Sequence, residues 1–149
     1  MPVIEVQGDL LESDCQIIAH GCNAFHTMGS GIARTIRTKY PEAYAADLTS
    51  PYGSKNKLGT YTYTKVGFGQ NERYVLNLYT QFRFGTDQMH LDYEALCKCL
   101  EGLKEFSADK DMKIGIPCIG CGLAGGDWNA VKAIINYIFK DKDIYVYSL

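Results

Sequence analysis

Residues 113–135 read KIGIPCIGCGLAGGDWNAVKAII, a short apolar strand running through four glycines into an amphipathic helix. That order builds an anion site. Backbone N–H groups at a helix N-terminus lack partners and carry partial positive charge, and glycines let a phosphate oxygen come close without a Cβ in the way. The spacing predicts a strand at Ile114 and Ile116. It also predicts a helix that starts near Asp127, an N-cap residue, and carries Val131, Ile134, Ile135, Ile138 and Phe139 on one face.

Outward from this stretch, strands and helices alternate. Val3-Ile4-Glu5-Val6 reads as a strand ended by Gly8. Ile17-Ile18-Ala19 reads as a strand buried on both faces, followed at once by His20-Gly21-Cys22-Asn23. A second glycine cluster, Met28-Gly29-Ser30-Gly31, opens a helix with Ile32, Ala33 and Ile36 on one face. Pro41 restarts a helix that carries Ala43, Tyr44 and Leu48, because proline suits a first turn and excludes α geometry from Tyr40 before it. Residues 61–66 and 74–79 are rich in β-formers with Gly67, Gly69 and Asn71 between them, which predicts an antiparallel pair. Leu96, Cys99, Leu100 and Leu103 mark a helix from about Met89 to Phe106, and Ile144-Tyr145-Val146-Tyr147 a last strand. The expected architecture is a single domain over residues 1–149, an α/β three-layer α/β/α sandwich with a mixed central sheet.

Composition excludes several classes of function. An apolar fraction of 46% with 21% charged residues is ordinary for a folded domain, and no stretch approaches the ~20 apolar residues of a membrane span. The first residues lack a basic patch followed by an apolar run, so a reducing, cytoplasmic location is expected. A net charge of −2 with scattered lysines and arginines argues against a nucleic-acid duplex as partner. The phosphate of a small ligand would then be held largely by backbone N–H groups.

Two glycine loops each follow an apolar strand and each open a helix. In an open α/β sheet ligands sit outside the carboxyl ends of the strands, so both loops can face one crevice and suit two linked phosphates. Rival readings of the same residues are weaker. Cys118-Ile-Gly-Cys121 has the spacing of a redox pair or half a zinc site, but the helix starts well beyond Cys121, and Cys97 and Cys99 do not share a helix face. Gly120-Cys-Gly-Leu-Ala-Gly125 matches a dinucleotide fingerprint, yet Asp141 and Asp143 precede the last strand instead of ending it. No Gly-Lys-Ser/Thr follows the glycines, so the phosphate loop of nucleotide hydrolases does not fit.

Gly8-Asp9-Leu10, Ala19-His20-Gly21-Cys22-Asn23, Met28-Gly29-Ser30-Gly31-Ile32-Ala33 and Ile119-Gly120-Cys121-Gly122-Leu123-Ala124-Gly125 together resemble a macrodomain over nearly the full length. The resemblance is strongest to the branch that holds the yeast-type ADP-ribose 1''-phosphate phosphatase and the terminal ADP-ribose-protein glycohydrolase. Lys39-Tyr40-Pro41, Gly53-Ser54 before Leu58-Gly59, and residues 145–149 support it.

This resemblance implies roles. Gly8, Asp9 and Leu10 would hold the adenine, with Asp9 accepting from its amino group, and Leu149 would border the ring. Asn23 would bind the distal ribose, and Ala19 and Thr80 would line the site. Gly29, Ser30, Gly31 and Ile32 would cover the diphosphate on one side, and Pro117, Cys118, Ile119, Gly120, Cys121, Gly122, Leu123 and Ala124 on the other. His20 is the leading catalytic candidate, a proton relay near neutral pH; His26 is a second. No metal and no cofactor is expected, since neither loop holds a carboxylate pair. The partners implied are ADP-ribose or its 1''-phosphate and, secondly, ADP-ribosylated protein.

The sequence departs from the glycohydrolase pattern at Ala124, where that enzyme has an aspartate. Its lysine nucleophile would fall near Thr80-Gln81-Phe82, where there is none. The implied activity is therefore hydrolysis of the phosphate monoester of ADP-ribose 1''-phosphate. The alternatives are release of ADP-ribose from acidic side chains and binding without turnover.

Overall fold

The computed structural model describes residues 2–83, 90–119 and 126–149. Among them, six strands form one sheet: β1 (Val3–Gln7), β2 (Ile17–Cys22), β3 (Tyr61–Val66), β4 (Arg73–Tyr79), β5 (Ile114–Pro117) and β6 (Ile144–Ser148). Their order is β1-β6-β5-β2-β4-β3. All neighbours run parallel except β3, which lies antiparallel on β4 at the edge, with Tyr61 opposite Leu78 and Val66 opposite Arg73. The α/β sandwich with a mixed sheet is thus observed. Its parallel strands all deliver their carboxyl ends to one side.

Four helices cover the two faces: α1 (Gly31–Lys39), α2 (Pro41–Leu48), α3 (Tyr93–Ser107) and α4 (Trp128–Ile138). Strand alternation sorts the sheet side chains between them. Ile17, Ala19, Leu76, Leu78, Ile114, Ile116, Ile144 and Val146 pack against Leu96, Leu100, Leu103, Val131, Ile135 and Phe139 of the α3–α4 layer. Ile18 and Val75 meet Ile36 and Ala43 on the other face. Burying a Leu or Ile contributes about 1.5–3 kcal/mol, so these stripes outweigh local helix propensity in fixing each helix.

Boundaries differ from the sequence reading where capping decides. The third helix starts at Tyr93 because Asp92 accepts from the Ala95 N–H at 3.0 Å; Met89, the expected start, lies outside the described residues. Asp127 caps α4 as expected, accepting from Asn129 N–H at 2.9 Å. Strand β2 continues through His20, Gly21 and Cys22, so His20 is inside the sheet rather than in the loop after it.

Helix α2 reverses one expectation. Leu48 is 50% exposed, while its neighbour Asp47 is 1% exposed. The Tyr79 hydroxyl donates to Asp47 Oδ1 at 2.7 Å, so a polar partner in the sheet draws the carboxylate inward and turns Leu48 out. No helix among the described residues is long and apolar enough to cross a membrane.

Candidate ligand crevice

The chain just beyond β1, β2, β4, β5 and β6 converges on one edge of the sheet. Asp9 follows β1, exposed, with Oδ1 accepting from Leu11 N–H at 3.0 Å as the cap of a short 3-10 turn. Gly8 N–H donates to Ser148 O at 2.8 Å, which ties the ends of β1 and β6 together; Leu149, which follows, is 94% exposed. Leu10 is 2% exposed and packs above Gly115, so its side chain belongs to the core. Ala19 is wholly buried against the α3–α4 layer; the expected ligand contact does not fit its place.

Beyond β2 the chain makes a tight, over-determined loop. His26 and Met28 hold positive φ values of 56° and 39°, a costly conformation for non-glycine residues that surrounding contacts must maintain. Both ends of the Asn23 amide serve this purpose: Oδ1 accepts from Phe25 N–H at 2.8 Å and Nδ2 donates to Thr27 Oγ1 at 2.6 Å. Tyr44 OH donates to His26 O at 2.8 Å, and Arg37 donates to Thr27 O at 3.1 Å. Ala24 N–H donates to Phe82 O at 3.0 Å and Gly53 N–H to Ala24 O at 2.7 Å, locking three segments together. His26 Nε2 lies 2.8 Å from Ser50 O, so this second catalytic candidate is a brace of the loop.

Helix α1 opens at the far end of the loop. Gly29 and Ser30 are exposed, and the Ser30 side chain makes no cap hydrogen bond, leaving the first-turn N–H groups of Gly31, Ile32 and Ala33 available to an anion. Gly31 takes φ +57°, which glycine adopts at little cost.

Thr80, just past β4, is wholly buried, and its Oγ1 has no hydrogen-bond partner among the described residues. A Cβ on Gly21 would lie 2.7 Å from that oxygen, so the bare glycine makes the room for it. Ile119 closes the same pocket and is 1% exposed. Pro117 ends β5, and Cys118 follows half-buried, its thiol pushed up by burial and then by the Glu5 charge. A protonated thiol is a poor nucleophile, which removes one support for redox chemistry at Cys118. Gly120, Cys121, Gly122, Leu123 and Ala124 lie outside the described residues.

His20 has an unexpected setting. It is wholly buried on the α2 side, with Nε2 2.7 Å from Asn77 Oδ1. Asn77 Nδ2 faces the Ala43 carbonyl at 2.9 Å and Thr62 Oγ1 at 3.0 Å. A carbonyl only accepts, so the amide orientation is fixed, Oδ1 faces the ring, and His20 Nε2 carries the proton. Burial holds the imidazole pKa below its ordinary value and keeps the ring neutral. Cys22 Sγ lies 3.6 Å from Nε2 and 3.8 Å from Nδ1, its thiol itself pushed well up by burial and the nearby Asp47 charge. The expected proton relay thus meets a sealed ring that presents no atom to the crevice in this conformation.

The network continues past Asn77. Thr62 Oγ1 pairs with Tyr79 OH at 2.9 Å, and Tyr79 donates to Asp47. Lys57, 3% exposed, donates to Ser50 Oγ at 2.7 Å and Ala24 O at 3.4 Å, with its ammonium 4.3 Å above the Tyr79 ring. Burial lowers its pKa, while the Asp47 charge opposes that shift. Sequence reading missed this buried group, because the partners of Lys57 come from separate elements.

The profile of the Macro domain family matches residues 19–135. An uncharacterised 17.5 kDa protein of Enterobacteria phage T4 is 38% identical, over 98% of this chain and 96% of its own length. The ADP-ribose 1''-phosphate phosphatase of Lodderomyces elongisporus is 26% identical, over 98% of this chain and 99% of its own. The human ADP-ribose glycohydrolase OARD1 is 28% identical, over 95% and 86%. Among solved structures, the macrodomain of Thermus aquaticus DarG superposes with a TM-score of 0.81 at 22% identity, covering 99% of this chain and 98% of its own.

Proposed function

The chain belongs to the macrodomain family, and from that premise we propose that it binds ADP-ribose 1''-phosphate in the crevice and hydrolyses it to ADP-ribose and phosphate. The observation that carries the choice is that no lysine stands in the segment directly after β4, where the glycohydrolase-like nucleophile would fall; the nearby exposed Lys55 comes from another segment and rests on the Phe82 ring. Thr80, Gln81, Phe82 and Arg83 follow one another there, and the nearby Lys57 is sealed beneath the α2 layer with its ammonium donating to Ser50 and Ala24. A Schiff base at the distal ribose needs an exposed, neutral amine. End-to-end similarity to a phosphatase acting on this substrate supports the same choice.

In this reading Asp9 takes the adenine amino group, the α1 N-terminus takes the diphosphate, and the Asn23 loop holds the distal ribose. The Thr80 hydroxyl, buried and without a partner among the described residues, supplies a hydrogen bond at the crevice floor. Water adds to phosphorus, the ribosyl oxygen departs and takes a proton, and phosphate leaves. His20 acts as a positioning group, holding the end of β2 from below through Asn77 and Cys22. Removal of ADP-ribose from acidic side chains is the second reading, favoured by the similarity to a glycohydrolase.

The test is to incubate the protein separately with ADP-ribose 1''-phosphate and with glutamate-ADP-ribosylated protein, measuring inorganic phosphate and free ADP-ribose. Phosphate release from the first is expected. Turnover of the second alone would replace this proposal with the glycohydrolase, and binding without turnover would leave a reader.

A further inference from the structure

Six of the eleven lysines are neutralised in place by carboxylates. Lys39, Lys65, Lys98, Lys110, Lys113 and Lys132 each form an ion pair with a carboxylate. The segment beyond β2, residues 23–27, is surrounded differently. Arg37 donates to Thr27 O and lies 3.9 Å above the Tyr44 ring. Lys55 lies 5.3 Å from the centre of the Phe82 ring, and Arg83 lies 5.3 Å from the same ring and 5.8 Å from Phe25. None of these three exposed cations forms an ion pair with a carboxylate among the described residues.

The rings explain how the charges are held without being spent. Phe25 packs edge-on against Phe82 at 5.0 Å and Tyr52 at 5.5 Å. The Ala24–Phe82 and Gly53–Ala24 hydrogen bonds fix this platform to the ends of β2 and β4. A cation resting on an aromatic face is oriented, yet it keeps its N–H donors and its net charge for a ligand. An ion pair would consume both. Three cations thus stand around the loop beyond β2, and the exposed Asp9 follows β1.

We infer that Arg37, Lys55 and Arg83 determine specificity at the distal end of the crevice, selecting a ligand whose distal ribose carries a phosphate monoester over ADP-ribose itself. This rests on the proposed orientation, with the distal ribose at Asn23. The substituent on that ribose projects past Asn23 toward the loop and Phe82, into the field of the three cations. The dianionic monoester gains what the neutral hydroxyl of ADP-ribose cannot. Because the cations are exposed, the gain is screened by salt.

The experiment compares dissociation constants for ADP-ribose 1''-phosphate and ADP-ribose, read at early times by displacement of labelled ADP-ribose, across a series of salt concentrations. Wild type is expected to prefer the phosphorylated ligand by roughly tenfold at low salt, the scale of a few partly screened charge contacts. That preference should shrink as salt rises. Arg37→Gln/Lys55→Gln/Arg83→Gln should bring the ratio close to one. The single variants Lys55→Gln and Arg83→Gln should each remove part of it.

Equal affinities in wild type, or an undiminished ratio in the triple variant, would overturn the inference. So would loss of both ligands together from the triple variant and both single variants, since the cations would then serve the whole ligand. If no phosphate is ever released, the ratio still reports on these cations, so failure of the hydrolytic reading and failure of this one are distinguishable.

Discussion

Replacing Tyr79 by Phe removes one oxygen from a wholly buried ring and leaves the volume almost unchanged, so the effect isolates a hydrogen bond from packing. Burial pushes the phenol well above its ordinary range, which keeps it a donor throughout the neutral region. It donates to Asp47 Oδ1 at 2.7 Å, and Asp47 is 1% exposed. Without the hydroxyl, the carboxylate keeps the charge of Lys57 nearby but loses its side-chain donor. A hydrogen bond to a charged group is worth about 1.5–3 kcal/mol, and such burial argues for the upper half of that range. Thr62 keeps Asn77 Nδ2 at 3.0 Å and is only half-buried, so its own loss adds little.

The expected cost is about 2–3 kcal/mol, or a fall in Tm of about 5–10 °C at this chain length. Urea unfolding should show a lower midpoint with an unchanged m-value. In a cycle with Asp47→Asn, the two changes should couple by at least about 1 kcal/mol. A loss below about 0.5 kcal/mol for Tyr79→Phe would mean that water or Lys57 satisfies Asp47 unaided, and that the Tyr79 hydroxyl does not hold α2 in place.

Three other outcomes follow from the same structure. Thr80→Val removes a buried hydroxyl that has no partner among the described residues, so stability should hold or rise by up to about 1–2 kcal/mol while ADP-ribose affinity falls; lower stability in thermal melts would show that the hydroxyl is already satisfied. His20 has its folded pKa depressed below the ordinary 6.5, so the unfolded chain binds its proton first and the neutral ring stabilises the fold above that value. Stability should therefore decline as pH falls from about 6.5 toward 5, by up to about 1.4 kcal/mol per unit, and the slope should flatten in His20→Gln; an equal slope in the variant would refute this. Arg73, 8% exposed, donates to Leu11 O, Ser13 O, Cys15 O and Tyr40 OH, so Arg73→Leu should cost about 3 kcal/mol or more in urea unfolding, and Arg73→Lys should fail to restore it because an ammonium cannot span those acceptors.

What the sequence revealed follows from how local each determinant is. Gly8, Gly67, Pro41 and the heptad-like spacing of Leu96, Leu100 and Leu103 act on their own neighbourhood, and the elements they bound are those observed. The strand ends that carry Asp9, Asn23 and Thr80 could be read for the same reason, since a parallel sheet sends every such end to one side. His20 was harder to place because β2 is buried on both faces and shows no alternation of polar and apolar residues. Counting by twos from Ile18 would have assigned it to the α2 layer, but only once the strand was known to continue through Cys22. Leu48, expected on the apolar face of its helix, turns out because Tyr79, the partner that draws Asp47 in, is distant in sequence.

The charge pattern shows most clearly what a linear reading loses. Arg37, Lys55 and Arg83 look scattered along the chain, and that scatter argued against a basic surface. Folding brings them around one five-residue loop, because α1 leads away from that loop, residues 53–55 pass beneath it through Gly53, and Arg83 follows the Phe82 carbonyl that pairs with Ala24. Whole-chain charge is a sum, and a sum discards position. On the orientation proposed above, Asp9 at one end of the crevice and these cations at the other would impose a direction on a ligand with a hydrogen-bond donor at one end and an anion at the other. Reversing such a ligand would set anion against Asp9 and donor against the cations. Electrostatics at exposed sites is weak per contact, but here both ends favour the same orientation, so specificity of orientation can exceed what either end contributes alone.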